Sequence, residues 1–301
     1  MAFRTIEISH PAEIHIRQNQ LEITQEENMA RIPIEDLVQI MLIGPNIRLS
    51  SMDLSILSQN KVAVMTLDQK YLPTALVLPF EGNARQSKLI HLQVGLPKEK
   101  YEDLWLQIIG QKIDNQARSL SILGLEGVEK VSAYSKNLDA ENVDYREALA
   151  AKDYFSNYHN GLNRRNNDPI NSRLNYGYAV VRSAIARSCV SVGFHPALGI
   201  HHNSQLNPFN LVDDLIEPFR PMVDLIAHQN VGQNERLTKA ERHELANVLH
   251  CACIMNGSKI GLLSAIEGTC ESLKRIIYNG SDESLKLPTV LPIEEVKGIT
   301  E

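Results

Sequence analysis

The sequence predicts an α+β fold, in which an N-terminal β-rich, β-sandwich-like domain precedes a larger, all-helical domain. Two changes along the 301 residues indicate this division. Residues 1–80 alternate apolar and polar side chains with a period near two, whereas residues 86–301 repeat apolar side chains at helical spacing. Between them, the cluster PFEGN beginning at Pro79 contains strong helix and strand breakers, so residues 81–85 are predicted to form a linker.

Within the first part, strands are expected where the alternation is clearest, and the Gln18-Asn19 pair is expected to separate two of them. The predicted strands are residues 4–8, 13–17, 20–24, 37–43 and 61–67. Ser50 or Ser51 is expected to cap one short helix that continues through Ser58, because serine favours the residue before a first helical turn.

Within the second part, apolar residues spaced three and four apart predict a series of helices, the first two separated by Pro97. The later predicted helices are residues 145–158, 173–192, 211–229, 238–255 and 258–278. From about residue 283 the chain carries Pro288 and Pro292 among acidic residues, which predicts a flexible C-terminal tail.

Composition limits the classes of protein to consider. The chain is 43% hydrophobic, no apolar run approaches the roughly 18 residues that a membrane helix needs, and the N-terminus does not resemble a signal peptide. We therefore expect a cytoplasmic protein without a membrane partner. A net charge of −6 disfavours a generally basic nucleic-acid binder. One local basic patch remains, formed by Arg164, Arg165, Arg173, Arg182 and Arg187.

The four cysteines are too few and too irregularly spaced for a disulfide framework. Cys253 could share a helical face with His243 and His250, which would allow a zinc site. The favoured interpretation is that Cys251 and Cys253 belong to the buried stripe of a core helix.

Three segments contain candidate chemical residues, and each also has a purely structural explanation. Asp144 and Glu147 have the spacing of a helix-capping pair. His201 and His202 are adjacent, so in an extended segment only one would face a given site. For an isolated pair, the favoured interpretation is that His201 and His202 are loop residues without a role.

The third segment is LVDDLIEPFRP, in which three charged side chains follow one helical face. Asp214 and Glu217 lie at i and i+3, with Arg220 one step further, and such neighbouring acids destabilise a helix unless a cation lies between them. Pro218 removes the backbone hydrogen bond to Asp214, so the helix should kink there. Carboxylates and an imidazole together suit Mg²⁺ or Mn²⁺, and hence phosphoryl transfer on nucleic acid.

Several ordered motifs resemble one known family. The order is YREALAAKDYF from Tyr145, RLNYGYAVVRSAIAR from Arg173, and GIHHNSQLNPFNLVDDLIEPFRP from Gly199. These segments resemble the CRISPR-associated integrase family, and most closely its members from type II systems. The resemblance also includes the β-rich N-terminal region.

The resemblance implies the roles of particular residues. By motif, the catalytic metal would be held by Glu147, His202 and Glu217. Asp214 would hold the site together or bind a second ion, and Arg220 would contact DNA phosphate. It further implies a β-rich dimerisation domain, a helical catalytic domain, and a Mg²⁺ or Mn²⁺ cofactor.

The activity that the resemblance implies is the insertion of short DNA fragments (spacers) into a repeat array, by attack of a 3′-hydroxyl on a phosphodiester. Expected partners are spacer-precursor and repeat DNA, a second copy of the chain, and the small protein Cas two, which would bridge two integrase dimers. The type II effector nuclease machinery is a further candidate partner. Two alternatives stay open, a general metal-dependent nuclease or junction-processing enzyme, and a non-catalytic DNA-binding scaffold whose acids only cap helices.

Overall fold

The fold is given by a computed structural model that describes residues 4–68, 73–80, 83, 85–160, 164, 168–231, 236–281 and 283–295. The N-terminal part is rich in strands, as predicted. Its elements are β1 (Arg4–Ile8), β2 (Ala12–Arg17), β3 (Gln20–Gln25), β4 (Asn28–Pro33), β5 (Leu37–Leu42), β6 (Ile47–Leu49), α1 (Ser51–Gln59), β7 (Ala63–Leu67) and β8 (Pro73–Val77).

These strands form two four-stranded sheets. One has the order β1-β5-β7-β8, parallel except for the final β7–β8 pair, and the other has the order β4-β3-β2-β6. Both sheets contribute to one buried apolar cluster, which includes Ile8 and Ile40 from the first sheet and Ile14 and Leu21 from the second. The alternating burial of β2 matches the period-two pattern of the sequence, whereas β5 is buried on both faces, because Val38 and Met41 belong to the apolar cluster of the second part.

Two local predictions for this part are confirmed. Gln18 and Asn19 both have left-handed backbone conformations (φ 50° and 60°) in the two-residue turn between β2 and β3. Ser50 caps α1 in a reciprocal arrangement with Asp53, whose carboxylate also accepts a hydrogen bond from the backbone of Ile16 at 2.8 Å.

The second part is mainly helical, but it is not all-helical as predicted. Its elements are α2 (Gln86–Val94), α3 (Lys98–Leu123), α4 (Val128–Ala133), α5 (Val143–Asn157), α6 (Pro169–Val192), α7 (Asn210–Leu215), α8 (Arg220–His228), α9 (Lys239–Ala246), β9 (Cys251–Met255), β10 (Ser258–Gly261), α10 (Leu262–Asn279) and β11 (Thr289–Glu295). Helix α6 is buried along most of its length and packs against α8, α9 and α10.

The unexpected element is a three-stranded sheet with the order β10-β9-β11. The predicted helix 238–255 ends at Ala246 and the chain continues into β9, so Cys251 and Cys253 lie buried in a strand rather than in a helix. Asn256 and Gly257, both with positive φ, form the tight turn to β10, and the predicted helix 258–278 begins only at Leu262.

The prediction of a flexible tail from about residue 283 was also wrong for residues 289–295, which form β11 and pair with β9. Pro292 is accommodated because β11 lies at the edge of its sheet, where a strand can lack one donor. Residues 81, 82 and 84 of the predicted linker lie outside the described residues, as do residues 296–301.

Within the described residues, no helix has both the length and the apolar content that crossing a bilayer requires.

Candidate active site

Helix α3 carries a lysine that joins two of the predicted acids. Lys112 lies on α3 with 9% of its side chain exposed, and its Nζ contacts both Glu147 Oε1 on α5 and Glu217 Oε2, the latter at 2.5 Å. Glu147 and Glu217 are 70 positions apart in the sequence, and the fold brings both within ion-pair distance of one nitrogen atom.

The positive charges of Lys112 and Arg220 and the negative charges of Glu147 and Glu217 stabilise one another. Burial alone would lower the pKa of Lys112, but the negative charges of Glu217 and Glu147 outweigh it and raise the pKa. Burial opposes ionisation of Glu217, but the positive charges of Arg220 and Lys112 outweigh it and lower the pKa of Glu217 to about 2. Glu217 and Lys112 are therefore both charged at neutral pH.

Glu147 does not cap its helix. Helix α5 begins at Val143, its N-cap residue Asn142 makes no side-chain capping bond, and Glu147 lies in the second turn. Its side chain is 28% exposed and faces Lys112. The capping explanation for Glu147 is therefore wrong, and its side chain is available for chemistry.

Glu217 opens a short 3-10 turn, Glu217–Phe219, that separates α7 from α8. The predicted break at Pro218 is confirmed, because proline cannot donate the bond that would continue α7. Arg220 Nε donates to Glu217 Oε1 at 2.9 Å, and its guanidinium lies 4.7 Å from the ring centre of Tyr178. These contacts fix the Glu217 side chain.

Helix α3 also stabilises the 3-10 turn Glu217–Phe219, through the side chain of Asn115. Asn115 Nδ2 donates to the carbonyl of Pro218 at 2.8 Å and to that of Pro288 at 2.9 Å, while Asn115 Oδ1 accepts from the backbone of Val290 at 3.2 Å. One buried amide thus links α3 to the turn that carries Glu217 and to the segment leading into β11.

His202 lies on the loop between α6 and α7, and Asp214 orients it. Asp214 is fully buried, and its carboxylate accepts hydrogen bonds from the backbone of Ile200 (2.5 Å), His201 (3.1 Å) and His202 (3.1 Å). His202 Nδ1 lies 2.6 Å from Asp214 Oδ1, which leaves Nε2 as the ring nitrogen that can bind a ligand.

Both carboxylate oxygens of Asp214 are engaged by the loop backbone and by His202. Of the two roles expected for Asp214, these contacts favour holding the site together over binding a second ion. The hydrogen bond with Asp214 raises the pKa of His202, although burial opposes this, and the charge of nearby Glu217 adds to the increase.

Gly199 permits this loop to fold tightly. A β-carbon at Gly199 would lie 2.1 Å from the carbonyl oxygen of His202 and 2.8 Å from Asp214 Oδ2. Any larger residue would displace the carboxylate that orients His202.

The neighbouring histidine has a different environment. The ring of His201 stacks flat on Trp105, with centroids 4.2 Å apart, and its Nε2 lies 3.5 Å from Asp144 Oδ1. Trp105 Nε1 donates to the same Asp144 oxygen at 3.2 Å, and the indole lies edge-on to His202 at 5.9 Å. The two imidazole rings lie 5.8 Å apart and both contact Trp105, so the adjacent histidines do not face opposite sides as an extended segment would place them. Their polar partners differ, since His202 contacts Asp214 and His201 lies near Asp144.

Two of the arginines expected to contact DNA are buried inside the protein. Arg173 has no exposed surface, and Arg187 is 8% exposed. The partners of Arg173 are the carbonyls of Ile226 and Ala227 and the carboxylates of Glu241 and Glu244. Arg187 donates to the carbonyl of Lys61 and to Glu267. Both residues hold elements together, which corrects the expectation that they face DNA.

The other arginines lie nearer the surface. Arg182 makes two hydrogen bonds with Asp213 (2.6 and 2.9 Å) and is 33% exposed, while Arg164 donates to Asn171 and Asn175. Arg165 lies outside the described residues. Arg220 is 32% exposed next to Glu217, so Arg220, Arg182 and Arg164 remain the candidates for phosphate contact.

The donor atoms of this group suit a divalent cation. Two carboxylates and one imidazole nitrogen form a set that Mg²⁺ or Mn²⁺ accepts. Glu217 Oε2 is buried and, apart from its ion contact with Lys112, accepts no hydrogen bond from the described residues. Among those residues, no three His, Cys, Asp or Glu side chains converge into one cluster, and Lys112 stands between the two glutamates.

Sequence reasoning missed Lys112, Asn115 and Trp105. All three lie on α3, whose apolar spacing predicted a helix but gave no sign of which polar residues face inward. The signal that could have found Lys112 and Asn115 is their position on the same face as Ile108 and Ile109, which are core residues at helical spacing.

The fold defines the class of protein. It is similar to that of a casposase bound to integration product, with a TM-score of 0.77 and 18% identity, covering 100% of this chain and 96% of that one. It is also similar to a chain of a Cas6-RT-Cas1–Cas2 complex, with a TM-score of 0.74 and 18% identity over 96% of this chain and 36% of that one. The architecture is thus the one found in casposase and Cas1 structures.

Sequence comparison gives the family. The family model described as CRISPR associated protein Cas1 matches residues 7–259. The CRISPR-associated endonuclease Cas1 of Neisseria meningitidis serogroup C (strain 8013) is 31% identical over 300 residues, which is 98% of this chain and 99% of that protein. The chain belongs to the CRISPR-associated Cas1 family.

Proposed function

We propose that this protein is a metal-dependent DNA integrase of CRISPR adaptation, which inserts spacer fragments into a repeat array. The observation that carries the proposal is the convergence of Glu147 and Glu217 on one nitrogen atom, together with the orientation of His202 by the buried carboxylate of Asp214. The endonuclease name of the Neisseria relative and the integration product bound to the casposase support chemistry on DNA phosphodiesters.

Glu147, His202 and Glu217 would hold Mg²⁺ or Mn²⁺, which when bound supplies Lewis acidity toward a phosphodiester. Asp214 keeps the proton of His202 on Nδ1, so that Nε2 presents its lone pair. Arg220, fixed by Glu217 and Tyr178, places a permanent positive charge beside the reacting phosphate.

In the proposed reaction the 3′-oxygen of a spacer forms a bond to phosphorus at the edge of a repeat, and the bond from phosphorus to the repeat's own 3′-oxygen breaks. The proton of the attacking hydroxyl is lost and the leaving oxygen gains one, so one phosphodiester replaces another. Alignment of the two DNA ends and neutralisation of phosphate charge supply most of the rate.

We further propose that the chain works as a homodimer through its strand-rich part, and that Cas2 bridges two such dimers on DNA. The Cas1–Cas2 complex among the structural relatives supports this arrangement. Spreading the DNA over several subunits would explain how a chain with a net charge of −6 can act on nucleic acid.

Hydrolytic cutting without joining is the second candidate, favoured by the word endonuclease in the relative's name. The scaffold alternative has little support, because neither Glu147 nor Glu217 makes a capping hydrogen bond in the described structure.

The test is an integration assay with purified protein, Cas2, a labelled fragment, repeat DNA and Mn²⁺ or Mg²⁺. We expect Glu217→Ala and His202→Ala to lower joining by at least about a hundredfold, since each removes a proposed ligand. Products longer than the repeat strand indicate joining, whereas shortened strands alone would favour the nuclease.

The matched control is His201→Ala, which removes the neighbouring imidazole. Its ring stacks on Trp105 and has no contact with Asp214 through its side chain, so we expect a loss of less than about tenfold. Normal joining by both Glu217→Ala and His202→Ala, in variants that remain folded, would overturn the assignment of the site.

A further inference from the structure

Lys112 lies where a cation shared by the two glutamates would have to bind. Its Nζ is 2.5 Å from Glu217 Oε2 and also contacts Glu147 Oε1. Oxygen ligands of Mg²⁺ and Mn²⁺ lie at about 2.0–2.6 Å, so the ammonium nitrogen already occupies coordination distance from Glu217.

We propose that Lys112 is an internal counter-ion that competes with the divalent cation for Glu147 and Glu217, and thereby sets how tightly the site binds metal. This inference rests on the proposed function, because it takes the two glutamates as metal ligands. It assigns to Lys112 a role distinct from contact with DNA.

Lys112 compensates the negative charges of both glutamates. Glu217 is buried and Glu147 is partly buried, so their negative charges need a compensating charge nearby for the protein to fold. Lys112 is the ammonium group in contact with both. An ammonium and a divalent cation on the same carboxylate oxygen would repel one another strongly in a buried environment, so binding of the cation must move Lys112 away.

A displaced Lys112 ammonium group would have another hydrogen-bond acceptor on α3, the amide oxygen of Gln116. Gln116 lies one turn further along α3, and residues four apart on a helix are neighbours, with β-carbons about 5–6 Å apart. The amide oxygen of Gln116 is buried and accepts no hydrogen bond within the described residues. It offers the lysine a second hydrogen-bond acceptor, so displacement need not leave the charge buried without a partner.

The proposal predicts opposite effects of one substitution on metal affinity and on stability. In Lys112→Met, the apolar chain is kept and the charge is lost. We expect Mn²⁺ to bind the variant at least about tenfold more tightly than the wild type, because no ammonium competes. In EDTA we expect its thermal midpoint to fall, and Mn²⁺ should raise that midpoint by more than it does for the wild type.

Binding is measured on the full chain without DNA, by calorimetric titration with Mn²⁺. Quenching of Trp105, the single tryptophan, gives a second signal because its ring lies edge-on to His202. Lys130→Met is the matched control: Lys130 also pairs with a carboxylate, Asp153 at 2.9 Å, but on an exposed surface, so its Mn²⁺ affinity should equal that of the wild type. Lys112→Arg keeps the charge and should not bind Mn²⁺ more tightly.

The outcomes separate the two proposals. If the wild type binds Mn²⁺ and folded Lys112→Met binds it with equal or lower affinity, Lys112 is not a competitor and the inference is overturned. If neither protein binds Mn²⁺ at millimolar concentration, the proposed metal site itself is wrong. If Lys112→Met does not fold in EDTA, Lys112→Gln purified in Mn²⁺ replaces it. The proposal then requires Lys112→Gln to bind Mn²⁺ more tightly than the wild type, and equal or weaker binding overturns it.

Discussion

At the scale of single residues, Asp224 shows how strongly burial in this protein shifts the pKa of an acidic side chain. It is almost fully buried on α8, where its carboxylate accepts hydrogen bonds from Tyr178 and from Tyr154 (2.8 Å), and its carbonyl accepts one from Tyr158 (2.7 Å). Burial raises the pKa of Asp224 to about 6, and the hydrogen bonds from Tyr178 and Tyr154 only partly offset this.

The sign of the resulting pH dependence follows from the raised pKa. Because the folded state holds the proton up to about pH 6, the stabilisation by protonated Asp224 is complete below pH 3.8 and is lost as pH rises through 6. We expect Asp224→Asn, which cannot ionise, to gain stability relative to the wild type between pH 4 and pH 7. Two pKa units correspond to about 3 kcal/mol. Urea unfolding at several pH values measures this.

Asp153→Asn is the control, because its stability relative to the wild type should change with pH in the opposite direction. Although burial opposes ionisation, hydrogen bonds from Tyr134 and Lys130 lower the pKa of Asp153, so its stabilisation is present at neutral pH and is lost on acidification. Relative to the wild type, this variant should lose stability as pH rises. Identical pH profiles for Asp224→Asn and the wild type would show that Asp224 is not perturbed by its surroundings.

The sequence predicted the residues of the candidate site that lie in recognisable motifs, but not the contacts between residues that are distant in sequence. Motif order was enough to single out Glu147, His202 and Glu217, and the structure places the two glutamates on one lysine. Their contact with Lys112 could not be predicted, because Lys112 lies 35 positions from Glu147, and its position on the apolar face of α3 does not show which acids it contacts. The role of Asp214 was left open by the sequence, because it depends on how the loop from Gly199 folds back.

At the scale of secondary-structure elements, the failures have identifiable physical causes. The hairpin of β9 and β10 carries an Asn256-Gly257 turn, which is a strong hairpin signal, but the apolar segment before it was interpreted as helical. The sequence does not predict β11, because Pro288 and Pro292 are typical helix and strand breakers. A short apolar run does not distinguish a buried strand from a helix, so tertiary pairing decided the outcome.

The crossing of α6 and α8 depends on Gly177, which lies in the NYGYA motif. A β-carbon there would lie 2.4 Å from Cγ1 of Val223 on α8, closer than atoms can approach. Alanine normally favours a helix over glycine by about 1 kcal/mol, yet overpacking typically costs about 1–3 kcal/mol. Because 2.4 Å is far below van der Waals contact and α8 must shift, we expect an overpacking cost of about 2–3 kcal/mol. Less the gain in helix propensity, Gly177→Ala should be destabilised by about 1–2 kcal/mol in urea unfolding.

The second substitution Val223→Ala removes the clashing methyl group and provides the control. If the contact is the cause, Val223→Ala should destabilise the Gly177→Ala variant less than it destabilises the wild type. Because α8 begins at Arg220, joining activity should decline together with stability in Gly177→Ala. A Gly177→Ala variant as stable as the wild type would show that the helices move apart without cost.

At the scale of the whole molecule, the order of a strand-rich part and a helical part could be predicted from periodicity alone, but their attachment could not. Glu7 on β1 and Arg242 on α9 are 235 positions apart, and no sequence pattern links them. Arg242 donates through Nε and Nη2 to Glu7 Oε1 at 2.9 and 2.7 Å, and Tyr176 on α6 donates to Glu7 Oε2 at 3.0 Å. One carboxylate therefore connects β1 to two helices of the second part.

This connection gives the last prediction. Glu7→Ala would leave the buried guanidinium of Arg242 without its carboxylate, and breaking such a buried pair typically costs about 3–5 kcal/mol. Glu13→Ala is the matched control, because Glu13 faces Arg48 at 3.7 Å with both side chains mostly exposed, and such pairs contribute about 0–1 kcal/mol. Urea unfolding followed by Trp105 fluorescence, which reports from α3, measures both. A loss below about 1 kcal/mol for Glu7→Ala would mean that Glu7 does not hold the two parts together, since removing one partner of a buried ion pair typically costs more than that.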